Sequence, residues 1–164
     1  MHDSSYKQMI LFVNNYLDRN KELKILDVGS HSVLGQISYK DIITTTPAWH
    51  YFGLDLVEGT NVDIITKDLY NWPIKDNTYD VIISGQCLEH VEDMYKWIKE
   101  VSRVLKPDGL VCIIAPNSWG IHKHPIDCWR IFPDGMKFLM TKIGGLKELS
   151  IYMNGVDTIG IGTK

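Results

Sequence analysis

Apolar positions along this chain fall into two rhythms, and the alternation between them predicts its architecture. Tyr6, Met9, Ile10, Val13, Tyr16 and Leu17 recur three and four residues apart, which lays one stripe along a helix, with Ser5 and Gln8 as a capping box at its start. Met94, Trp97, Ile98, Val101, Val104 and Leu105 repeat that rhythm and predict a helix over 93–105, stopped by Lys106-Pro107-Asp108-Gly109. Short apolar runs predict strands over 24–28, 51–54, 62–65, 79–84, 110–115, 149–153 and 158–162. Four of these runs are continuously apolar, as strands covered on both faces are. The stretch 31–47, with glycine-flanked turns and a Thr44-Thr45-Thr46 run, predicts a short helix or an irregular loop. Alternating strands and helices imply a Rossmann-like, doubly wound α/β fold: a mostly parallel seven-stranded sheet with helices on both faces. The last two runs are joined by Asn154-Gly155-Val156-Asp157, too short for a parallel crossover, so they should form an antiparallel hairpin at one sheet edge.

Composition narrows the function classes. With 164 residues, 45% apolar and 23% charged, the expectation is one domain over 1–164, its residues 1–20 forming a covering helix. A net charge of -3 supplies no basic footprint, so nucleic acid is not expected as a partner. Cys87, Cys112 and Cys128 lack metal-like spacing and suit a reducing cytoplasm. Met1-His2-Asp3-Ser4-Ser5 leads into no apolar leader, and no run approaches the ~20 apolar residues of a membrane span, so neither secretion nor a membrane is expected.

Candidate chemistry lies at strand ends. Lys24 to Ser30 reads as a buried strand ending in Asp27, followed by Gly29 for a sharp turn. Tyr51-Phe52-Gly53-Leu54-Asp55 also ends on an acid. In an open α/β sheet this edge binds ligands, and two carboxylates there suit a hydroxylated ribose and a cationic group better than a bare phosphate. The G-x-G-x-x-G of dinucleotide enzymes is absent, since Gly29 and Gly35 alone do not provide it, which disfavours a nicotinamide oxidoreductase. Structural roles stand beside these: Asp55 as a helix N-cap, Asp27 and Asp68 as turn-stabilising residues.

The densest local cluster is HKHPIDCWRIFPDG, 122–135. His124 or Asp127 could take a proton from an acceptor, and Arg130 could fork onto an anionic group. The same residues could instead form an internal Asp127–Arg130 pair with Trp129 as a plug. His122, His124 and Asp127 have a metal-ligand look, but without a further ligand cluster no metal is expected. Upstream, Cys87-Leu88-Glu89-His90-Val91 offers His90 as another base, with Glu89 favoured at a helix start by the dipole.

Taken in order, KILDVGS, YFGLDL, NVDIITKDLY, TYDVIISGQCLEHV and VLKPDGLVCIIAPN, closed by the hairpin, resemble the class I S-adenosylmethionine-dependent methyltransferases of the type 11 family. The family's acid and first glycine match Asp27 and Gly29; Ser30, His31 and Val33 stand where further glycines are common. The resemblance implies S-adenosyl-L-methionine as cofactor. It would place Asp27, Gly29 and Ser30 around the methionine part and Asp55 on the ribose hydroxyls. Asp68 would meet the adenine amine, Leu56 and Leu69 would wall the ring, and Gln86 would lie near the sulfonium. The segment from Trp119 to Pro133, with His122, His124, Asp127, Trp129 and Arg130, would form the acceptor side. The implied reaction is methyl transfer to an oxygen or nitrogen of a small molecule or sugar in the cytoplasm, with Trp119, His122, Trp129 and Arg130 binding the acceptor. Little chain remains for a lid, so either the N-terminal helix and the loop from Trp119 to Pro133 shape the pocket or a second subunit, as in a homodimer, does. The alternative is a non-catalytic methyltransferase-fold module serving as a binding partner.

Overall fold

The computed structural model describes residues 3–32 and 35–164; Val33 and the first two residues of the expected covering helix lie outside them. Seven strands, β1 (Leu23–Val28), β2 (Trp49–Asp55), β3 (Ile64–Ile65), β4 (Tyr79–Gly85), β5 (Leu105–Pro116), β6 (Lys147–Asn154) and β7 (Asp157–Thr163), form one sheet in the order β3-β2-β1-β4-β5-β7-β6. The β3-β2-β1-β4-β5 pairings are parallel and those of β7 with β5 and β6 antiparallel. The terminal hairpin thus closes one edge, with its second strand inserted inside its first. Because β1 lies between β2 and β4, the chain leaves the sheet in opposite directions on either side of β1, which opens a crevice at the carboxyl ends.

Helices cover both faces. On one, α1 (Asp3–Tyr16) and α2 (Tyr39–Ile43) bring Met9, Phe12, Val13, Ile42 and Ile43 onto Ile25, Val81, Ile83, Cys112 and Ile114. On the other, α3 (Met94–Val104) lays Trp97, Ile98, Val101 and Val104 on Leu26, Ile82, Val111 and Ile113, beside α4 (Pro133–Lys137) and the π-helical turn Phe138–Ile143 that continues it. Each central strand therefore buries alternate side chains in two separate apolar layers, which explains its unbroken apolar run.

Local expectations are corrected at two points. Ser5 and Gln8 do not cap α1, which already includes Asp3; the buried Ser5 hydroxyl pairs with the Tyr39 hydroxyl, and Gln8 accepts a bond from the Tyr152 hydroxyl at 2.9 Å. A working cap lies on α2, where the Asp41 carboxylate accepts the Ser38 N–H at 2.6 Å. Residues 106–109 do not simply stop a helix: Leu105 already pairs with Tyr79, and the ladder resumes at Leu110–Val81 beyond a bulge where Asp108 has φ 60°. Asp93 does cap α3, accepting the Lys96 N–H at 3.0 Å.

Candidate active site

The crevice is a cleft of about 490 Å³ lined from β1 by Asp27, Gly29 and Ser30, from β2 by Leu54, Asp55 and Leu56, and from the turn after β4 by Gly85, Gln86, Cys87 and His90. Asp27 and Asp55 therefore share one cavity. Asp27 is 3% exposed and accepts the Tyr51 hydroxyl at 2.8 Å from the neighbouring strand. Burial pushes its carboxyl up to about 7, the Tyr51 bond opposes that shift, and the Asp55 charge adds to it. The same burial, next to Asp27, drives the Tyr51 phenol far above its usual range.

Gly29 turns the chain at φ 80° while its N–H bonds the Leu54 carbonyl at 2.9 Å. A Cβ at Gly29 would lie 2.6 Å from the Cys87 Cβ, so the turns after β1 and β4 touch backbone to side chain. Half-buried Asp55 accepts the His31 N–H at 2.9 Å and the Leu56 N–H at 2.7 Å. A carboxylate offers about four lone-pair sites, so two remain for an adjacent pair of hydroxyls.

Asp68 departs from its expected place. Its carboxylate accepts the Tyr70 N–H at 2.8 Å in an Asx turn, and it is not among the cleft residues; Thr66, Leu69 and Trp72 face the cavity there instead. Gln86 holds a left-handed φ of 57°, uncommon for a residue with a side chain, with its amide donating to buried Asp157 at 2.9 Å. The Gln86 Oε1 and Ser30 Oγ are buried without a hydrogen-bond partner. Both residues line the cleft, and orphaned polar atoms there point to a polar ligand.

On the far side of β1, the loop after β5 is zipped onto the Leu88–His90 turn. The Cys128 N–H donates to the Glu89 carbonyl at 2.7 Å, His90 Nδ1 meets the Ile126 carbonyl at 2.6 Å, and Trp129 Nε1 donates to the Val91 carbonyl at 2.7 Å. His90, His122 and His124 all reach the cleft, with ring centroids 5.0, 5.8 and 5.9 Å apart. Burial, partly offset by the Ile126 carbonyl, lowers the His90 pKa and keeps that ring neutral.

Four other residues of this loop do not line the cavity. The Asp127 carboxylate receives both terminal nitrogens of Arg130, at 2.6 and 2.8 Å, and the His122 N–H at 2.7 Å. That Arg130 bond holds its carboxyl well below the usual range, so Asp127 is a poor proton acceptor; it anchors the loop instead. Arg130 spends its remaining donors on the Trp119, Gly120 and Trp129 carbonyls, which leaves no fork for a substrate anion. Trp129 is 39% exposed and so is not a core plug, though its indole N–H is tied to the Val91 carbonyl; Trp119 meets Arg130 through its carbonyl. The internal-pair reading accounts for Asp127 and Arg130.

Sequence reasoning missed Tyr51, Trp72 and the full place of Glu89. Tyr51 was signalled by register, since it sits two residues before Gly53, which pairs with Asp27. Glu89 is fully buried, and neither carboxylate oxygen has a hydrogen-bond partner. Its carboxyl is pushed up to about 7, chiefly by burial.

A family model described as a methyltransferase domain matches residues 38–113. The chain is 27% identical over 127 residues to a 2-methyl-6-phytyl-1,4-hydroquinone methyltransferase of Oryza sativa, covering 71% of this chain and 38% of that one. It is 37% identical over 86 residues to the demethylmenaquinone methyltransferase of Staphylococcus saprophyticus, covering 51% and 34%. The 1,6-didemethyltoxoflavin-N1-methyltransferase of Burkholderia thailandensis, crystallised with its acceptor and S-adenosylhomocysteine, superposes with a TM-score of 0.76 at 14% identity, covering 99% of this chain and 79% of that one. The chain is similar in sequence to S-adenosylmethionine-dependent methyltransferases and shares their fold. It spans between about a fifth and a half of the length of the curated relatives it matches.

S-adenosylmethionine is the cofactor of that class, and the cleft fits it. Paired carboxylates at adjacent strand ends, two orphaned polar atoms and an apolar wall of Leu56, Leu69 and Trp72 match a nucleoside with an ammonium-bearing tail. Among the described residues no helix is long and apolar enough to cross a membrane.

Proposed function

We propose that this chain transfers a methyl group from S-adenosylmethionine to an oxygen or nitrogen of a small-molecule acceptor, a sugar hydroxyl being the first class to test. The carrying observation is that three imidazoles, on the segments after β4 and β5, face the same cleft as Asp27 and Asp55 at the ends of β1 and β2. When bound, the cofactor supplies an already activated methyl group, so the protein need form no covalent intermediate. Asp55 would hold the ribose hydroxyls, Asp27 the ammonium end, and Ser30 and Gln86 the polar edges between them. Leu56, Leu69 and Trp72 would enclose the ring and exclude water. Aligning the acceptor can contribute roughly 7–11 kcal/mol of barrier lowering. A hydroxyl acceptor also needs a base, and exposed His124 at the cleft rim is assigned that role. Relatives named for a hydroquinone, a demethylmenaquinone and an N-methylated norajmaline support small acceptors and make phenolic and amine compounds the next classes.

The test is calorimetry with S-adenosylmethionine, followed by methyl uptake from labelled cofactor into nucleotide sugars, phenols and amines. Binding with turnover that falls at least ~100-fold in His124→Ala, at unchanged cofactor affinity, supports the reading. No heat at millimolar cofactor overturns it.

A further inference from the structure

Beneath the acceptor end of the cleft, three electron-pair donors converge on one point. Glu89 Oε1 lies 3.6 Å from His90 Nε2 and 3.8 Å from His122 Nε2. One ligand atom from each of the three residues can be chosen so that all lie within 4.8 Å of one another. Two ligands about 2.0–2.1 Å from a common ion, at a tetrahedral angle, stand roughly 3.3–3.5 Å apart. Small side-chain rotations would close the difference.

The chemistry of the surrounding atoms favours a cation. His90 Nδ1–H donates to the Ile126 carbonyl at 2.6 Å, which leaves the Nε2 lone pair turned towards Glu89. His122 Nδ1 faces the Gly120 carbonyl at 3.2 Å and the Asp127 carboxylate at 3.7 Å, which orients its Nε2 the same way. Glu89 itself is fully buried and its carboxylate has no hydrogen-bond partner. An isolated buried carboxylate facing imidazole lone pairs is costly until a positive charge enters between them.

We propose that Glu89, His90 and His122 bind one first-row transition-metal dication, with open coordination positions facing the cleft. Two imidazoles and one carboxylate suit zinc-like ions rather than magnesium or calcium, which take oxygen ligands. Three protein ligands mark a site that keeps a place for a further ligand, here an oxygen of the acceptor. The Ile126 and Gly120 carbonyls, and Asp127 behind His122, supply the outer hydrogen bonds that fix imidazole ligands. The bidentate Arg130 clamp on Asp127 then reads as support for that outer shell. The ion's binding does not depend on methyl transfer, so the two readings fail separately.

The full chain, stripped with a chelator, would be titrated with Co²⁺ by absorption and with Zn²⁺ by calorimetry. One equivalent per chain and visible ligand-field bands are expected. Glu89→Gln and His122→Gln should each weaken binding at least ~100-fold, beyond the 10–100-fold typical of outer-shell changes. His50→Gln, which alters an exposed histidine beside Glu22, should leave it unchanged. S-adenosylmethionine calorimetry on each variant verifies that the fold survives. No stoichiometric binding, or binding equally tight in Glu89→Gln and His122→Gln, overturns the site, as does a loss confined to His50→Gln.

Discussion

The two sides of the cleft are built by different means. On the β1–β2 side, Asp27 and Asp55 stand at the ends of paired parallel strands, and their partners are a tyrosine on the next strand and backbone N–H groups nearby. On the β4–β5 side, His90, Glu89 and His122 sit on loops held together by bonds between segments more than thirty residues apart in sequence. The first side follows from strand geometry, so its side chains are aimed by the sheet. The second depends on a loop held in place by its bonds to another loop. Changes on the first side should therefore act on ligand affinity, and changes on the second on loop stability and on whatever the histidines hold.

The largest expected effect tests that division directly. Asp55→Ala should weaken S-adenosylmethionine binding by ~10²–10⁴-fold, because two charge-assisted hydrogen bonds at about 1.5–3 kcal/mol each are lost. Arg130→Met, on the opposite side, should leave cofactor affinity within a few fold. Calorimetry on both variants measures it; equal affinities for wild type and Asp55→Ala would break the comparison.

Gly29 joins the two sides, and Gly29→Ala comes next in size. An alanine there must adopt φ 80° and place its Cβ 2.6 Å from that of Cys87. A cost of at least about 2 kcal/mol is expected, lowering the melting temperature by roughly 4–8 °C. Adding Cys87→Gly should recover the clash but not the backbone strain, so thermal melts of the double variant should show partial rescue. Arg130→Met should be milder: it leaves the Asp127 carboxylate without its guanidinium, and about 1 kcal/mol corresponds to a melting shift of roughly 2–4 °C. Limited proteolysis should then cut first within 117–132.

The contrast also explains what could be read from the chain before folding. The seven strands, the hairpin and the placement of Asp27, Gly29 and Asp55 are legible because a strand covered on both faces has an unmistakable apolar run and its end is marked by an acid or a glycine. Asp68 could not be placed this way, since an Asx turn and a ligand contact use the same residue type in the same loop. Ser5 and Gln8 satisfied a capping pattern that their burial between α1, α2 and β6 overrides. Within 122–135 the residues were conspicuous but their partners were not. Whether Arg130 meets Asp127 or a substrate, and whether Glu89 faces solvent or two imidazoles, is decided by how the loop lies on the Leu88–His90 turn. No local periodicity encodes that.

The smallest effect sharpens the comparison from inside the β1–β2 side. The Asp27 carboxyl rises from 3.8 in the unfolded chain to about 7 in the folded one, so folding takes up a proton between those values. Its contribution to stability is fully present below pH ~4 and is lost as pH rises through 7. Asp27→Asn, which cannot ionise, should therefore gain on wild type between pH 4 and 7 and hold that gain above it, as denaturant melts at several pH values would show. Tyr51→Phe removes the hydroxyl that favours the charged carboxylate. It should carry the folded pKa upward by roughly 1–2 units, since a hydrogen bond to a charged group is worth about 1.5–3 kcal/mol. Wild-type affinity for S-adenosylmethionine should rise through pH 7 as Asp27 ionises to meet the cofactor's ammonium, and in Tyr51→Phe that rise should move to higher pH by the same amount. A flat affinity profile in both proteins would show that Asp27 is a packing residue, and would leave Asp55 as the acid of this side that grips the nucleoside.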